Sequence, residues 1–293
     1  MIISTLFQML PIILVVLGGF LLSSIEAIKV EDLVRIVSDF FMPALVFISL
    51  TESSLSGAVI GDIAKASALV SLLLFPLALG WAKLAKQDMR STIPPLVFMN
   101  SGFLGIPLMD LWGGSEAMNL ILIYDQIQGI FLFTLGLLII TGGFSRKGLL
   151  NMLHSPILWA VLLGFLVRML PITMPKAIVS TFTFAGSAAS PLAAFTLGVS
   201  LKRIRFTFDR HIIGGLAIRF IGGYAVGYLA ASIVGLSGLS KTVVIVATAL
   251  PSAVFTSVLP LRYGLKNEFS STMVLVSSLM GIFTIPITIA LAS

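Results

Sequence analysis

The sequence predicts an all-α integral membrane protein with ten transmembrane helices, arranged as two inverted repeats of five helices. Three features of the sequence indicate this fold. The 293 residues are 58% hydrophobic and 10% charged, with a mean hydropathy of +1.11, whereas a soluble domain carries about 25% charged residues. The apolar residues fall into ten runs of about 20, the length that a helix needs to cross a bilayer. Thirdly, the first half of the chain recurs in the second.

Residues of the first half recur in the same order and at a nearly constant separation. Pro11 and Gly19 recur as Pro156 and Gly164, Pro43 and Phe47 as Pro191 and Phe195, Ser101 as Ser252, and 129–131 as 281–283. A unit of five spans crosses the membrane an odd number of times, so its second copy must sit upside down. The predicted repeat units are 1–146 and 147–293.

The ten predicted spans are numbered 1 to 10 in chain order. They cover 4–25, 33–54, 63–82, 92–112, 117–141, 154–173, 176–200, 211–235, 240–261 and 270–291. The stretch 142–153 joins the two halves and is too short to form a domain. The chain contains no cysteine, which rules out disulfides and thiolate sites, and its residues predict neither a cofactor nor a metal site.

Lysine and arginine residues concentrate on one side of the predicted membrane. Thirteen follow odd-numbered spans, namely Lys29, Arg35, Lys83, Lys86, Arg90, Arg146, Lys147, Lys202, Arg203, Arg205, Arg210, Arg262 and Lys266, and four follow even-numbered spans, namely Lys65, Arg168, Lys176 and Lys241. Basic loops stay in the cytoplasm. We therefore expect both termini on the outer side of the cytoplasmic (inner) membrane. The net charge of +6 needs no nucleic-acid partner, because it resides in these short loops beside the lipid.

Spans 4 and 9 both contain residues that interrupt a helix near its centre. The interrupting and polar residues are Asn100, Ser101, Gly102, Gly105 and Pro107 in span 4, and Pro251 and Ser252 at the equivalent place in span 9. Backbone groups freed inside lipid must find partners or line a cavity. Paired interruptions in two repeats indicate the substrate site of a secondary transporter, with the two helices crossing at mid-membrane. Two continuous, kinked helices are the alternative.

The second half of each interrupted span begins at mid-membrane, so its N-terminus faces the predicted crossing. Such an end carries unpaired N–H groups and a partial positive charge of roughly +0.5. Asn100, Ser101 and Ser252 add hydrogen-bonding side chains beside these ends. This environment suits a carboxylate, so the predicted substrate is a small organic anion.

The interrupted spans resemble those of the auxin efflux carrier family, which includes the plant PIN proteins. Asn100, then Gly105-Ile106-Pro107-Leu108 and Trp112-Gly113, is similar to the fourth helix of that family, and Ala249-Leu250-Pro251 with Tyr263-Gly264 is similar to its ninth. The resemblance covers all ten spans. It implies the fold of the bile-acid sodium symporters, in which spans 1, 2, 6 and 7 form a scaffold and spans 3–5 and 8–10 form a moving domain. It also implies elevator-type alternating access and a homodimer formed through the scaffold.

The resemblance places substrate contacts on Asn100 and, in span 2, on Met42 and Val46. Plant members typically have serine at the position of Val46 and proline at the position of Met99, and many have a long cytoplasmic loop that this chain lacks. These departures favour small carboxylates such as malate or malonate, to which bacterial members are linked, over auxin itself.

Three further residues inside spans are ionisable or strongly polar. Asp125 and Gln128 lie on one face of span 5, and we expect that face to meet the crossing. Asp125 would then carry a proton or bind a cation, with a purely structural carboxylate as the alternative. Arg219, in span 8, is expected to snorkel to the cytoplasmic surface, with a buried counter-charge as the alternative.

The sequence favours an exporter over its rivals. A monoanion that leaves a negative cytoplasm gains about 2.3 kcal/mol per 100 mV. The first rival is a sodium-coupled organic-anion importer on the same fold, because Asp125, Gln128 and Asn100 offer three oxygen ligands. A channel is the second. An enzyme is not expected, because the chain has no HExxH motif and neither histidine lies in mid-span.

Overall fold

A computed structural model describes residues 2–52, 55–141, 156–170, 174–203, 210–257 and 268–293, and these residues are helical almost throughout. The all-α class is thereby confirmed for the described part of the chain. The predicted linker 142–153, the boundary between 146 and 147, and the end of span 9 with Tyr263-Gly264 lie outside the described residues.

The helices follow the predicted spans in order. In the first half, spans 1 to 3 are Ile2–Ile25, Val30–Thr51 and Gly57–Leu84, span 4 divides into Met89–Val97 and a helix from Ser101, and span 5 ends at Thr141. In the second half, span 6 is Pro156–Met169, span 7 is Lys176–Ser187 with Ala189–Arg203, and span 8 is His211–Val234. Span 9 begins as Gly238–Thr248, and span 10 is Glu268–Ala292. Spans 4 and 5 separate at Gly114, whose φ of +68° and ψ of −164° are open to glycine and strained for other residues.

Seven described helices are long and apolar enough to cross a membrane. They are Leu6–Ile25, Val30–Thr51, Gly57–Leu84, Ser101–Ile140, Lys176–Lys202, His211–Val234 and Glu268–Ala292, and two shorter apolar helices are Trp159–Met169 and Gly238–Thr248. The chain is therefore an integral membrane protein. The count of ten spans stays a prediction, because spans 4 and 9 are interrupted and Ser101–Ile140 combines parts of two spans.

Two pairs of helices pack through glycines at positions that the sequence repeat relates to each other. Span 1 packs against span 7, where a Cβ atom on Gly19 would lie 2.2 Å from the carbonyl oxygen of Phe195. Span 6 packs against span 2, where a Cβ atom on Gly164 would lie 3.3 Å from the carbonyl oxygen of Phe47. Gly19 and Gly164 are repeat equivalents, and so are Phe47 and Phe195. Equivalent residues of the two halves thus make equivalent contacts across the halves.

Candidate functional site

The interruptions of spans 4 and 9 lie against each other. The N–H of Asn100 donates to the carbonyl of Pro251 at 2.8 Å, and the N–H of Ala253 donates to the carbonyl of Phe98 at 3.0 Å. These two bonds form an isolated antiparallel β-bridge between Met99 and Ser252. The two chain segments therefore run in opposite directions where they meet, and each supplies partners for backbone groups that the interruption frees.

Serine hydroxyls bind carbonyls that lack a helical donor around the break of span 4. Pro95 has no N–H to offer the carbonyl of Ser91, and the hydroxyl of Ser270 in span 10 donates to that carbonyl instead at 2.5 Å. The carbonyl of Pro95 faces the end of its helix and accepts a bond of 2.6 Å from the hydroxyl of Ser252. The N–H of Ser252 donates to the hydroxyl of Ser277 at 3.0 Å. Side chains of spans 9 and 10 therefore supply hydrogen-bond partners for these carbonyls and for the N–H of Ser252.

The second half of span 4 begins with a cluster of unpartnered donors. The carbonyl of Asn100 accepts the N–H of Gly105 at 3.0 Å, which closes a wide first turn over 101–105. The preceding N–H groups, of Ser101, Gly102 and Phe103, have no partner among the described residues, as is usual in a first turn. The side chain of Asn100 is 2% exposed, and its Nδ2 likewise finds no partner there. One helix N-terminus thus presents four donors that no described residue satisfies.

The residues that carry these donors line a cavity of about 210 Å³. Seven of the predicted site residues line it, namely Met42, Val46, Asn100, Ser101, Gly102, Asp125 and Gln128. Most of the other lining side chains are apolar, and they include Leu50, Phe103 and Phe165. Among the described lining residues Asp125 is the single ionisable side chain, and no lysine, arginine or histidine is present. The cavity therefore combines a small polar end with a largely apolar wall.

Asp125 lies beside the N-terminus of the second half of span 4. The hydroxyl of Ser101 donates to its Oδ1 at 2.6 Å. A Cβ atom on Gly102 would lie 3.3 Å from each carboxylate oxygen, so the glycine leaves room for the carboxylate. A negative charge is favourable at a helix N-terminus. The protein's own carboxylate thus lies next to a helix end that favours negative charge.

The amide of Gln128 is engaged with span 3. Its Nε2 donates to the carbonyl of Ser67 at 3.0 Å, and its Oε1 accepts a bond of 3.1 Å from the hydroxyl of Ser71. The hydroxyl of Ser67 also donates to the carbonyl of Tyr124 at 2.8 Å. Gln128 therefore links span 5 to span 3 through hydrogen bonds.

Four predicted site residues are buried but do not line the cavity: Gly105, Pro107, Pro251 and Ser252. A Cβ atom on Gly105 would lie 2.8 Å from a methyl group of Leu250, so this glycine permits close packing of spans 4 and 9. The carbonyl of Pro251 accepts the N–H of Asn100, and the N–H and the hydroxyl of Ser252 are both hydrogen-bonded within the protein. The structure places these residues around the interruptions.

The prediction that Arg219 snorkels to the surface is wrong. Its side chain is 0% exposed. Its Nη1 donates to the carbonyl of Leu96 at 2.7 Å and its Nη2 donates to the carbonyl of Thr248, so the guanidinium joins the ends of two helices. The last carbonyls of a helix have no intrahelical donor, and they attract the cation into the protein. A lone arginine well inside an apolar span was the signal for this site in the sequence.

Known proteins match the chain over nearly its whole length. A family model described as membrane transport protein matches residues 4–147 and again residues 144–289. An uncharacterized transporter of Methanothermobacter thermautotrophicus is 28% identical over 296 residues, which cover 95% of each chain. The uncharacterized transporter YfdV of Escherichia coli K12 is 24% identical over 302 residues, which cover 96% of this chain and 95% of its own. The chain therefore belongs to the membrane transport protein family, the auxin efflux carrier family that its span 4 and span 9 motifs resemble.

Proposed function

We propose that this protein is a secondary transporter that exports a small organic anion through the cytoplasmic membrane. The supporting observation is the helix N-terminus at Ser101, where the residues that carry first-turn N–H groups and the unpartnered amide of Asn100 line a cavity. Donors and a helix dipole that converge on one point favour a negatively charged ligand. The family description covers membrane transport in general; the anion and the direction are our inference, and no enzymatic activity is proposed.

The cavity favours a carboxylate with one negative charge and an apolar body. Asn100, Ser101 and Gly102 would hold the carboxylate, while Met42 and Val46 would contact the apolar body. A dicarboxylate such as malate or malonate would bring a second charge close to Asp125 without a cationic side chain in the described lining, and like charges repel. A weak-acid monoanion of the auxin type therefore fits better.

Ten spans in two inverted repeats, 1–146 and 147–293, form the proposed architecture. The antiparallel bridge between Met99 and Ser252, the equivalent glycine contacts of spans 1 and 6, and the two matches of the family model support it. Spans 1, 2, 6 and 7 would form the scaffold, and also the interface of a homodimer. Spans 3–5 and 8–10 would move as the elevator domain and carry Asn100 past Met42 and Val46. Both termini would lie outside the cytoplasm.

Pro251, Ser252, Gly105 and Pro107 would act on the substrate indirectly, by keeping spans 4 and 9 interrupted at the crossing. Asp125 is the candidate proton or cation carrier. The alternative function, sodium-coupled import, needs several converging oxygens. The oxygen of Gln128 already accepts a hydrogen bond from Ser71, so at most one of its two acceptor positions is left for a cation, and we favour export without sodium.

A thermal-shift screen of the purified protein tests this proposal. We expect phenylacetate and hexanoate to raise the melting temperature more than malate and malonate, equally in sodium and in potassium buffers. Stabilisation that appears in sodium buffer alone would favour the importer. No response to any carboxylate would contradict an organic-anion transporter.

The same screen on Asp125→Asn tests the carboxylate beside Ser101. Removing a negative charge next to the bound anion is expected to tighten phenylacetate binding about tenfold or more. If Asp125 carries a proton, the variant also loses any dependence of binding on pH. Unchanged affinity and unchanged pH dependence would assign Asp125 a structural role.

A further inference from the structure

Arg219 carries a buried positive charge for which the proposed transport scheme has no role. Its Nη1 lies 2.7 Å from the carbonyl oxygen of Leu96 and 3.3 Å from that of Val97, and its Nη2 binds the carbonyl of Thr248. The ion pairs among the described residues, Arg35–Asp39 and Lys65–Asp62, do not involve it. The partners of this guanidinium are therefore helix ends rather than a carboxylate.

Two helix C-termini are a suitable counter-charge for one arginine. Each C-terminus carries a partial charge of roughly −0.5 that is spread over its last carbonyls, so the two ends that bind this guanidinium balance part of its charge. A buried cation without such partners would be strongly destabilising. A Cβ atom on Gly223 would lie 2.7 Å from the carbonyl oxygen of Thr248 and 3.0 Å from Nη2 of Arg219. The glycine thus lets span 8 approach closely enough for the bond to form.

Arg219 and the candidate anion site adjoin the same break. The first half of span 4 ends at Val97, whose carbonyl oxygen lies 3.3 Å from Nη1 of Arg219, and the second half begins at Ser101, which lines the cavity. Four residues of extended chain reach at most about 14 Å, so Val97 lies within about that distance of Ser101. On the span 9 side, the hydroxyl of Thr248 is 2.9 Å from that of Tyr124, the neighbour of Asp125 in the chain.

We propose that Arg219 is a positioning residue of the anion site, a role that rests on the proposed function. One guanidinium binds the carbonyl ends of both interrupted helices, which holds its positive charge beside the break. The same group supplies positive charge to a cavity whose described lining has no cationic side chain. Recognition of the negative charge thus depends on a residue that does not touch the substrate.

A comparison of a charged and a neutral ligand of the same shape distinguishes the effect of the Arg219 charge from a general effect on the structure of the site. The probes are phenylacetate and its amide, phenylacetamide, and the readout is the ratio of their dissociation constants. An unbalanced unit charge about 14 Å from the anion, at an effective dielectric constant of about 20, would change an affinity about sevenfold, and the helix ends reduce this effect. We therefore expect Arg219→Gln to weaken phenylacetate binding about three- to sevenfold and to change phenylacetamide binding less than about twofold.

Two further variants complete the experiment. Arg219→Lys keeps the charge and is expected to keep the wild-type ratio, and it decides the outcome if Arg219→Gln does not fold. Arg168→Gln is the matched control, because Arg168 also binds a backbone carbonyl, that of Leu55, and does not line the cavity; it should change neither constant. Equal losses for both ligands in Arg219→Gln would overturn this inference and leave the proposed function standing. So would an Arg219→Lys protein whose dissociation constants for phenylacetate and phenylacetamide are about equal. Wild-type protein that binds neither ligand would overturn the proposed function as well.

Discussion

Replacing Asn100 by alanine is expected to reduce transport about ten- to hundredfold while the protein stays folded in the membrane. A hydrogen bond to a charged group contributes about 1.5–3 kcal/mol, and the Nδ2 of Asn100 is free to make one because it has no described partner. Removing this amide therefore leaves no other polar group of the described protein without a hydrogen-bond partner. The bond from Asn100 to Pro251 uses the backbone N–H, which alanine retains, so the pairing of spans 4 and 9 should survive.

Initial rates of phenylacetate flux in proteoliposomes, together with the melting temperature of each variant, measure this effect. Asn119→Ala is the matched control, because Asn119 is also an asparagine in a span and does not line the cavity. It should transport at the wild-type rate. Wild-type flux in Asn100→Ala would remove Asn100 from the substrate site.

Replacing Gly19 by valine is expected to remove most of the folded protein. A Cβ atom there would lie 2.2 Å from the carbonyl oxygen of Phe195, and a backbone atom of span 7 cannot move aside as a flexible side chain can. Overpacking of this kind typically costs about 1–3 kcal/mol, and the bulk of valine adds to the clash. Spans 1 and 7 would have to separate along their shared surface.

Gly18→Val provides the control one position earlier in the same helix. A Cβ atom on Gly18 has no atom within 4 Å, so valine there should be tolerated. The yield of monodisperse protein in detergent and its melting temperature distinguish the two variants. Equal yields and melting temperatures would contradict the close contact between spans 1 and 7.

The sequence was sufficient to locate the interruptions of spans 4 and 9, because glycine and proline act on the backbone locally. The repeat pattern also placed Ser101 and Ser252 at equivalent positions, and the interruptions that contain them pair with each other in the structure. The glycine and proline residues thus identify each helix interruption, and the sequence repeat shows that the two interruptions are equivalent.

The partners of buried polar groups could not be predicted in the same way. Arg219 binds the carbonyls of Leu96 and Thr248, which are 123 and 29 residues away, and every residue has such a carbonyl. Gln128 likewise binds Ser67 and Ser71 of span 3. The face on which a side chain lies follows from the sequence, but the helix that this face meets depends on the packing of distant spans.

A disulfide between Met99→Cys and Ser252→Cys tests most directly whether the two breaks meet inside the membrane. Residues opposite each other in this kind of antiparallel pair have Cα atoms about 4.5 Å apart, within the range that a disulfide spans. The chain contains no cysteine of its own, so the two introduced thiols are the only ones in the protein that can be oxidised or labelled. Met99→Cys with Ser240→Cys is the control, because Ser240 lies eight residues before Thr248 in the same helix.

Native membranes would be oxidised, denatured and then labelled with a thiol-reactive polymer, with and without reduction before labelling. We expect the 99–252 pair to resist labelling until it is reduced, and the 99–240 pair to be labelled fully in both cases. Full labelling of both pairs after oxidation would show that the interruptions do not meet, and would contradict the site built on them.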